Sequence, residues 1–243
     1  ELPRDDGCVP SVVLVPLAAG IGSSDGVCLI LNKRSRRVRQ PGDLCCPGGG
    51  LHPILDPLGA RLLTWPGSPL WRGPVGRRWR KDGSRHGRRL RTLLAAALRE
   101  GFEEMRLNPL RVEVMGLLPR QDLVMFRRVI FPMVVWVHGP RRFRPNWEVE
   151  SILEIPLARL LEVGRYRRCR FQMPEGAPAA ARLRSLEFPC FAHQTPGGME
   201  WLWGATFRIV QNLLETTLGF APPPPERVPP VTRTLDPRYL DGR

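Results

Sequence analysis

The chain has 243 residues, 42% of them hydrophobic, which is enough for one elaborated domain or two small ones. No run approaches the roughly 18–20 apolar residues of a membrane-spanning helix, and no signal segment opens the chain, so we expect a cytoplasmic protein with no membrane partner. The formal net charge of +14 can attract nucleic acid, lipid headgroups or phosphorylated small molecules, and charge alone does not choose among them.

Cysteine and histidine spacing gives no sign of a zinc site or of a nucleophilic triad. For a chain of this size without a signal segment, we expect the cysteines to be reduced and to lie in the core. There are six of them, none in a C-x-x-C pair: Cys8, Cys28, Cys45, Cys46, Cys169 and Cys190.

Two apolar runs near the start of the chain, at residues 11–19 and 26–31, predict buried strands. A basic loop follows at residues 32–40. The triple glycine at residues 48–50 then predicts a turn whose backbone can adopt positive φ and approach a ligand or metal closely.

Residues 57–91 are rich in proline, glycine and arginine and contain Trp65, Trp71 and Trp79. Interleaved tryptophan and arginine can stack on bases and clamp single-stranded nucleic acid. The alternative, which we prefer, is an irregular surface excursion that covers the domain or a dimer partner.

Residues 92–107 have the periodicity of an amphipathic helix. Glu100, Glu103 and Glu104 stand at spacing i, i+3, i+4, which places them within an arc of about 100° on one side of the helix. Because neighbouring carboxylates repel one another, this face is either screened by solvent or holds a cation. Hard divalent ions such as Mg²⁺ take oxygen ligands, and an acidic cluster in so basic a chain favours the cation.

Beyond this helix, residues 111–118 and 128–138 read as strands. A further strand is expected within residues 147–157, and a short helix within 157–161.

Residues 164–194 are basic and read as irregular. Residues 205–218 predict a core-packing helix, because their apolar positions mark one helical face. Residues 221–243 are proline-rich and predict an extended tail. The alternation of strands and helices suits an α/β/α sandwich with a mixed sheet.

The sequence REGFEE at residues 99–104 resembles the core of the Nudix box, G-x5-E-x7-R-E-U-x-E-E-x-G-U, in which U is a bulky apolar residue. Leu107 fills the final U, whereas Gly101 and Arg106 depart from the pattern. Residues 57–91 look inserted into the front half of the box. Asp56 stands in for the first glutamate of the box.

The wider pattern resembles the coenzyme A diphosphatase-like branch of the Nudix superfamily. It depends on residues 31–49, the Arg-Glu-x-x-Glu-Glu helix, residues 148–157, and Trp203-Gly204 before the last helix. The resemblance implies a Nudix α/β/α sandwich with a mixed β-sheet and a long insertion inside the box. We expect one domain over residues 1–220, followed by the tail.

The resemblance further implies an Mg²⁺- or Mn²⁺-dependent hydrolase. Its substrate would be a nucleoside diphosphate linked to another group, such as coenzyme A or a related nucleotide. The metal ligands implied are Glu100, Glu104, Glu103 and the backbone of Gly49. The catalytic residues implied are Glu103, Arg99 and Glu148, with Glu150 as an alternative to Glu148. The substrate contacts are Arg34, Arg37, Arg39 and Gly48, because guanidinium groups match phosphate oxygens.

Two other interpretations stay open. The first is a nucleic-acid-binding protein that uses the inserted arginines and tryptophans on a Nudix scaffold. The second is a catalytically silent Nudix-like protein, suggested by the departures from the box. The arginines at residues 34–39 equally suit a solvated basic loop, and a homodimer is left open.

Overall fold

The computed structural model describes residues 9–22, 26–65, 67–123, 128–172, 187–234 and 239. Within them, the first sheet has eight strands: β1 Val9–Ala19, β2 Val27–Arg34, β3 Leu44–Cys45, β4 Gly48–Gly50, β5 Val112–Leu117, β6 Gln121–Leu123, β7 Arg128–Val137 and β8 Val149–Pro156. The second has four: β9 Tyr166–Gln172, β10 Glu187–Thr195, β11 Gly198–Trp203 and β12 Pro230–Thr234. The α-helices described are α1 Leu55–Leu63, α2 Pro74–Lys81, α3 Arg85–Met105, α4 Leu157–Leu160 and α5 Gly204–Leu218.

The first sheet is mixed and is built around β1. Its main path runs β3-β2-β1-β7-β5, in which β1 and β7 are parallel and the other neighbours are antiparallel. Strand β8 pairs with β2, β6 pairs with β7, and β4 pairs with β1. The strands predicted at residues 11–19, 26–31, 111–118, 128–138 and within 147–157 are therefore confirmed as β1, β2, β5, β7 and β8. The triple glycine is a short strand rather than the expected turn.

Helices cover both faces of this sheet because side chains along β1 alternate in direction. Val12 and Leu14 belong to a buried cluster that includes Leu94 of α3. Val15 belongs to a second buried cluster that includes Phe207 of α5. The α/β/α arrangement with a mixed sheet is thus confirmed, and α5 begins one residue before its predicted start and ends where predicted.

Helix α3 begins seven residues before its predicted start and has defined ends. The Ser84 hydroxyl accepts a hydrogen bond from the Gly87 amide at 3.0 Å, which caps the first turn. At the other end Arg106 adopts φ +57°, and its amide bonds back to the Phe102 carbonyl at 2.9 Å. Gly101 allows close packing, because a Cβ there would lie 3.2 Å from side-chain atoms of Leu14 and Leu107.

The expectation of an irregular excursion at residues 57–91 was wrong. This segment contains most of α1, all of α2 and the first two turns of α3. Trp71 is buried with Leu70, and its indole nitrogen donates to the Leu63 carbonyl at 2.5 Å. Pro74 occupies the first position of α2, where a missing amide proton costs nothing. Gly73 and Pro74 therefore mark the start of a helix, whereas Pro57, Gly59 and Gly76 lie within helices.

The expectation that residues 164–194 are irregular was also wrong over the described part, which holds β9 and most of β10. Residues 230–234 of the proline-rich tail form β12, which pairs with β9 in parallel. The second sheet therefore includes a strand from the predicted tail.

The second sheet contains a disulfide between Cys169 of β9 and Cys190 of β10. The expectation of reduced cysteines was therefore wrong for that pair. The two sulfurs meet because β9 and β10 pair, and the spacing of the cysteines in the sequence does not indicate that pairing. Among the described residues, no helix is both long and apolar enough to cross a bilayer.

Candidate active site

Glu104 lies on α3 with its carboxylate against the end of β2 and the start of β4. The side chain is 9% exposed. Its Oε2 accepts hydrogen bonds from Asn32 Nδ2 at 2.9 Å and from the Gly48 amide at 3.3 Å. Burial raises its pKa to about 8, and the negative charges of Glu100 and Glu148 act in the same direction.

Glu100 lies one turn earlier and packs against Gly49. A Cβ at Gly49 would stand 2.6 Å from the Glu100 carboxyl group, so only glycine permits this approach. Burial raises the pKa of Glu100, Arg99 opposes the rise, and Glu103 and Glu148 add to it. Glu100, Glu104 and Glu148 therefore form one electrostatically coupled group.

Arg99 contacts Glu100, Asp56 and the glycine strand at once. Its Nε donates to Asp56 Oδ1 at 2.9 Å, its Nη1 lies 2.9 Å from Glu100 Oε1, and its Nη2 donates to the Gly50 carbonyl at 3.1 Å. The hydrogen bond to Asp56 first, and then the contacts with the Glu100 charge, raise the pKa of the guanidinium, while its partial burial opposes the rise. Asp56 is 1% exposed and also accepts from the His52 amide at 2.6 Å. The structure thus places Asp56 against Arg99, across the insertion.

Glu103 lies against Arg99. Its carboxylate lies 3.4 Å from Arg99 Nη1, and half of its side chain is exposed. Within the described ranges, no three Asp, Glu, His or Cys side chains converge on one point as a ready-made metal site. Glu100, Glu103 and Glu104 therefore do not form the three-carboxylate cluster that their spacing suggested.

The donor chemistry around Glu104 nevertheless fits a divalent ion. Among the described residues, Asn32 Oδ1 is buried with no hydrogen-bond partner, and it lies beside the carboxylate that Asn32 Nδ2 contacts. Glu100, Glu104 and Glu148 each add to the excess of negative charge there. Unsatisfied oxygen atoms and repelling carboxylates are what a hard cation such as Mg²⁺ neutralises.

A cavity of about 470 Å³ opens on the other side of the glycine strand. Arg34 and Gly48, two of the expected substrate contacts, line it together with Gly49. Arg37 and Arg39 do not line it and their side chains are exposed, although the Arg39 carbonyl accepts from Arg34 Nε at 2.8 Å. The helix carboxylates do not line it either, so Gly48 and Gly49 lie between the cavity and the acidic group.

Asp43 connects two of the motifs described above, residues 31–49 and Trp203-Gly204. Its Oδ1 accepts from Trp203 Nε1 at 2.9 Å, and its Oδ2 accepts from the Tyr239 hydroxyl. Burial raises the pKa of Asp43 to about 6, and these two hydrogen bonds limit the rise. All three residues line the cavity.

Comparison with known proteins gives a partial match in sequence. No protein-family profile matches the chain. It is 42% identical over 76 residues to the uncharacterized Nudix hydrolase NudL of Klebsiella pneumoniae, and equally to NudL of Salmonella newport. The match covers 31% of this chain and 39% of each relative, so the chain spans well under half the length of these relatives. The matched stretch is therefore similar to part of these Nudix hydrolases.

Solved Nudix structures are similar at a lower level. A Nudix hydrolase from Alicyclobacillus acidocaldarius matches with a TM-score of 0.42 and 14% identity over 63% of this chain and 81% of its own. An Ap4A hydrolase from C. elegans matches with a TM-score of 0.40 and 13% identity over 61% of this chain and 80% of its own. No substrate follows from likeness at this level.

The acidic helix was predicted from the sequence, whereas Asn32, Asp43 and Tyr239 were not. Asn32 could have been noticed as the polar residue that ends the apolar run of β2. Asp43 follows Gly42 within a resembling motif, but no role had been given to it. Tyr239 had no signal, because its partner lies 196 residues earlier in the chain.

Proposed function

We propose that this chain is a divalent-metal-dependent Nudix hydrolase. It cleaves a diphosphate bond in a nucleoside diphosphate linked to another group, and coenzyme A or a related nucleotide is the first candidate substrate. The observation that supports this most is the buried Glu104 carboxylate, held by Asn32 and Gly48 beside Glu100. The sequence similarity to NudL supports the reaction class.

Glu100 and Glu104 would hold Mg²⁺ or Mn²⁺, with the Gly49 backbone as a further oxygen donor. When bound, such an ion screens the charge of the diphosphate oxygens and lowers the pKa of a bound water. Glu103 remains a weaker candidate ligand, because it faces Arg99 instead.

The chain's own residues position this site. Asn32 and Gly48 fix the Glu104 carboxylate, while Arg99 holds Glu100 through a guanidinium anchored on Asp56. Arg99 is therefore a positioning residue.

Glu148 and Arg34 would act on the substrate side. Glu148 lies close enough to raise the pKa of both helix carboxylates, which supports it as the group that takes a proton from water. Arg34 lines the cavity beside the glycine strand and is the best placed of the three loop arginines to contact phosphate. Glu150 is paired with Lys33 at 3.0 Å, so it is less suited to act as a base.

The test is hydrolysis of a panel of nucleotide diphosphates, including coenzyme A, with Mg²⁺ or Mn²⁺. We expect Glu104→Gln to abolish turnover and to keep the native circular dichroism spectrum. Glu113→Gln is the matched control, since Glu113 is also partly buried but bonds to His138 away from this site. Full hydrolysis by Glu104→Gln would end the proposal. Failure of the wild-type chain on every substrate would favour the silent alternative.

The exposed cations of α2 and α3 support a second candidate function, in which the insertion grips nucleic acid. Six exposed side chains there have no carboxylate partner among the described ion pairs: Arg77, Arg78, Lys81, Arg85, Arg88 and Arg89. Such a surface matches a phosphate backbone.

We expect single-stranded RNA to bind with an affinity that falls as salt rises. Replacing Arg77, Arg78 and Lys81 by glutamine should lower the salt slope by about one for each lost phosphate contact. The matched control replaces three exposed arginines elsewhere, which are Arg142, Arg144 and Arg227. Equal binding by both triple variants would refute this second function.

Location in the cytoplasm and a nucleotide-type partner remain part of the proposal. Disulfides are rare in the reducing cytosol, so the bond between Cys169 and Cys190 is an observation that counts against this location.

A further inference from the structure

Helix α5 begins at the cavity. Its first three residues, Gly204, Ala205 and Thr206, line the cavity. The first amides of a helix have no acceptor within it, and the side chain of the N-cap residue Trp203 makes no capping bond here. A helix of 15 residues also carries partial positive charge at this end. The N-terminus of α5 therefore offers the cavity amide donors and a field that suit an anion.

A buried hydroxyl without a partner lines the same cavity. Ser11 is 5% exposed, and its Oγ has no hydrogen-bond partner among the described residues. Because side chains alternate along β1, Ser11 lies on the same face as Val15, which belongs to the buried cluster that contains Phe207 of α5. The hydroxyl is therefore on the α5 side of the sheet. A buried donor costs free energy until it has an acceptor, so this one points to a ligand oxygen in the cavity.

Three arginines line the cavity and take part in no ion pair within the described ranges, namely Arg34, Arg128 and Arg208. Arg34 acts on the charge of Glu104, so it lies toward the acidic group. Arg128 is two residues before Ile130, which is the partner of Ser11 in the pairing of β1 with β7, so Arg128 shares the face of Ser11. Arg208 lies in the second turn of α5, where side chains tilt toward the helix N-terminus.

The two carboxylates that line the cavity already have partners. Asp43 accepts from Trp203 and Tyr239. Asp122 Oδ1 lies 3.7 Å from Arg120 Nε. The arginines therefore outnumber the carboxylates, and the cavity favours an anionic ligand.

We propose that the N-terminus of α5, Arg128, Arg208 and the Ser11 hydroxyl bind a phosphate monoester of the substrate that is separate from its diphosphate. The chain then prefers nucleotides that carry such an additional phosphate group. The inference rests on the proposed function, in which the diphosphate lies at the glycine strand beside the acidic group and Arg34 contacts it. A second phosphate supplies the oxygen atoms that the other two guanidinium groups match.

The test compares coenzyme A with dephospho-coenzyme A, which differ only in a phosphate monoester on the ribose. We expect the wild-type chain to have a kcat/KM about tenfold or more higher for coenzyme A, the scale of one charge-assisted hydrogen bond. Arg208→Gln should remove most of this preference. Arg61→Gln is the matched control and should keep it, because Arg61 is also an exposed helix arginine but does not line the cavity. Equal turnover of both substrates by the wild-type chain, or an intact preference in Arg208→Gln, would overturn the inference.

Ser11→Ala tests the hydroxyl. The free chain should unfold at the same or a slightly higher urea concentration, because the variant removes a buried donor that has no partner. Its affinity for adenosine 3′,5′-bisphosphate should fall about threefold to tenfold, the scale of one neutral hydrogen bond. A less stable variant that binds this compound as tightly as the wild type would show a structural role for the hydroxyl and would overturn the inference.

Calorimetric binding without metal separates this inference from the proposed function. The probes are adenosine 3′,5′-bisphosphate and adenosine 5′-monophosphate. If the wild-type chain hydrolyses no diphosphate, the proposed function fails, and these affinities alone decide the phosphate subsite. About tenfold tighter binding of the bisphosphate, lost in Arg208→Gln, supports it. Equal binding of the two probes by the wild-type chain, or no binding of either, overturns it.

Discussion

Replacing Asp56 by asparagine should destabilise the fold, although asparagine has nearly the same shape. Asp56 is 1% exposed and accepts from Arg99 Nε at 2.9 Å, from Arg99 Nη2 at 3.4 Å and from the His52 amide at 2.6 Å. An asparagine NH₂ would face one of these donors. Removing one partner of a buried ion pair costs about 3–5 kcal/mol.

The loss should be smaller here, because Arg99 is 20% exposed and keeps its contacts with Glu100 and Gly50. We therefore expect the free energy of unfolding to fall by about 2–3 kcal/mol. Urea unfolding followed by tryptophan fluorescence measures this change. We also expect turnover to fall, since the guanidinium that holds Glu100 loses its anchor.

Glu162→Gln is the matched control for this prediction. Glu162 has contacts as short as those of Asp56, 2.9 Å to Arg159 Nη1 and 2.5 Å to Arg165 Nε, but its side chain is 41% exposed. Solvent screens that pair, so the unfolding midpoint should not move measurably. If Asp56→Asn unfolds at the same urea concentration as the wild type, the reasoning from burial is refuted.

Three further predictions concern stability. Gly48→Ala should lower the free energy of unfolding in urea by about 3 kcal/mol, because Gly48 has φ +153° and a Cβ there would stand 2.3 Å from the carbonyl oxygen of Val12. In the control Gly50→Ala a Cβ would meet nothing within 4 Å, so the free energy should change by no more than about 0.5 kcal/mol, and equal effects of the two variants would contradict the geometry. Burial raises the pKa of Asp43 from 3.8 to about 6, so the free energy of unfolding should fall by about 2–3 kcal/mol as pH rises between those values and Asp43 ionises in the folded state. A pH series on Asp43→Asn should lack that decline. Reducing the disulfide between Cys169 and Cys190, which are 21 positions apart, should lower the free energy of unfolding by about 3 kcal/mol. The control is Cys169→Ser, which should unfold alike with and without reductant, and a wild-type chain that reductant does not destabilise would argue against the bond.

The sequence predicted the first sheet and its two covering helices because each has a strong periodic signal. Strand β1 is apolar at nearly every position, as expected for a strand buried on both faces. Helix α3 has its apolar residues in one stripe and its carboxylates in another. For the acidic residues, spacing indicated a shared face but not the direction of each side chain, so the failure of Glu100, Glu103 and Glu104 to form one cluster was not foreseen.

The second sheet and the cavity wall depend on contacts that no local pattern contains. In β9, three arginines alternate with or flank the buried residues, so the segment reads as a basic loop. Its pairing with β12 joins residues about sixty positions apart, and the bond from Tyr239 to Asp43 spans almost the whole chain. Tertiary packing decides such contacts, and hydrophobic periodicity does not report it.

The contact between Asp56 and Arg99 has a consequence for recognising chains of this kind. The two residues are 43 positions apart in sequence, and Arg99 Nε lies 2.9 Å from Asp56 Oδ1. Helix α1 begins just before the inserted segment, and α3 runs from inside that segment past its end to Arg99. The 35 residues at positions 57–91 can thus be added between them without separating their charges. A signature that counts positions from the first acidic residue to Arg-Glu would pass over this chain, whereas one that asks which carboxylate the guanidinium touches would find it.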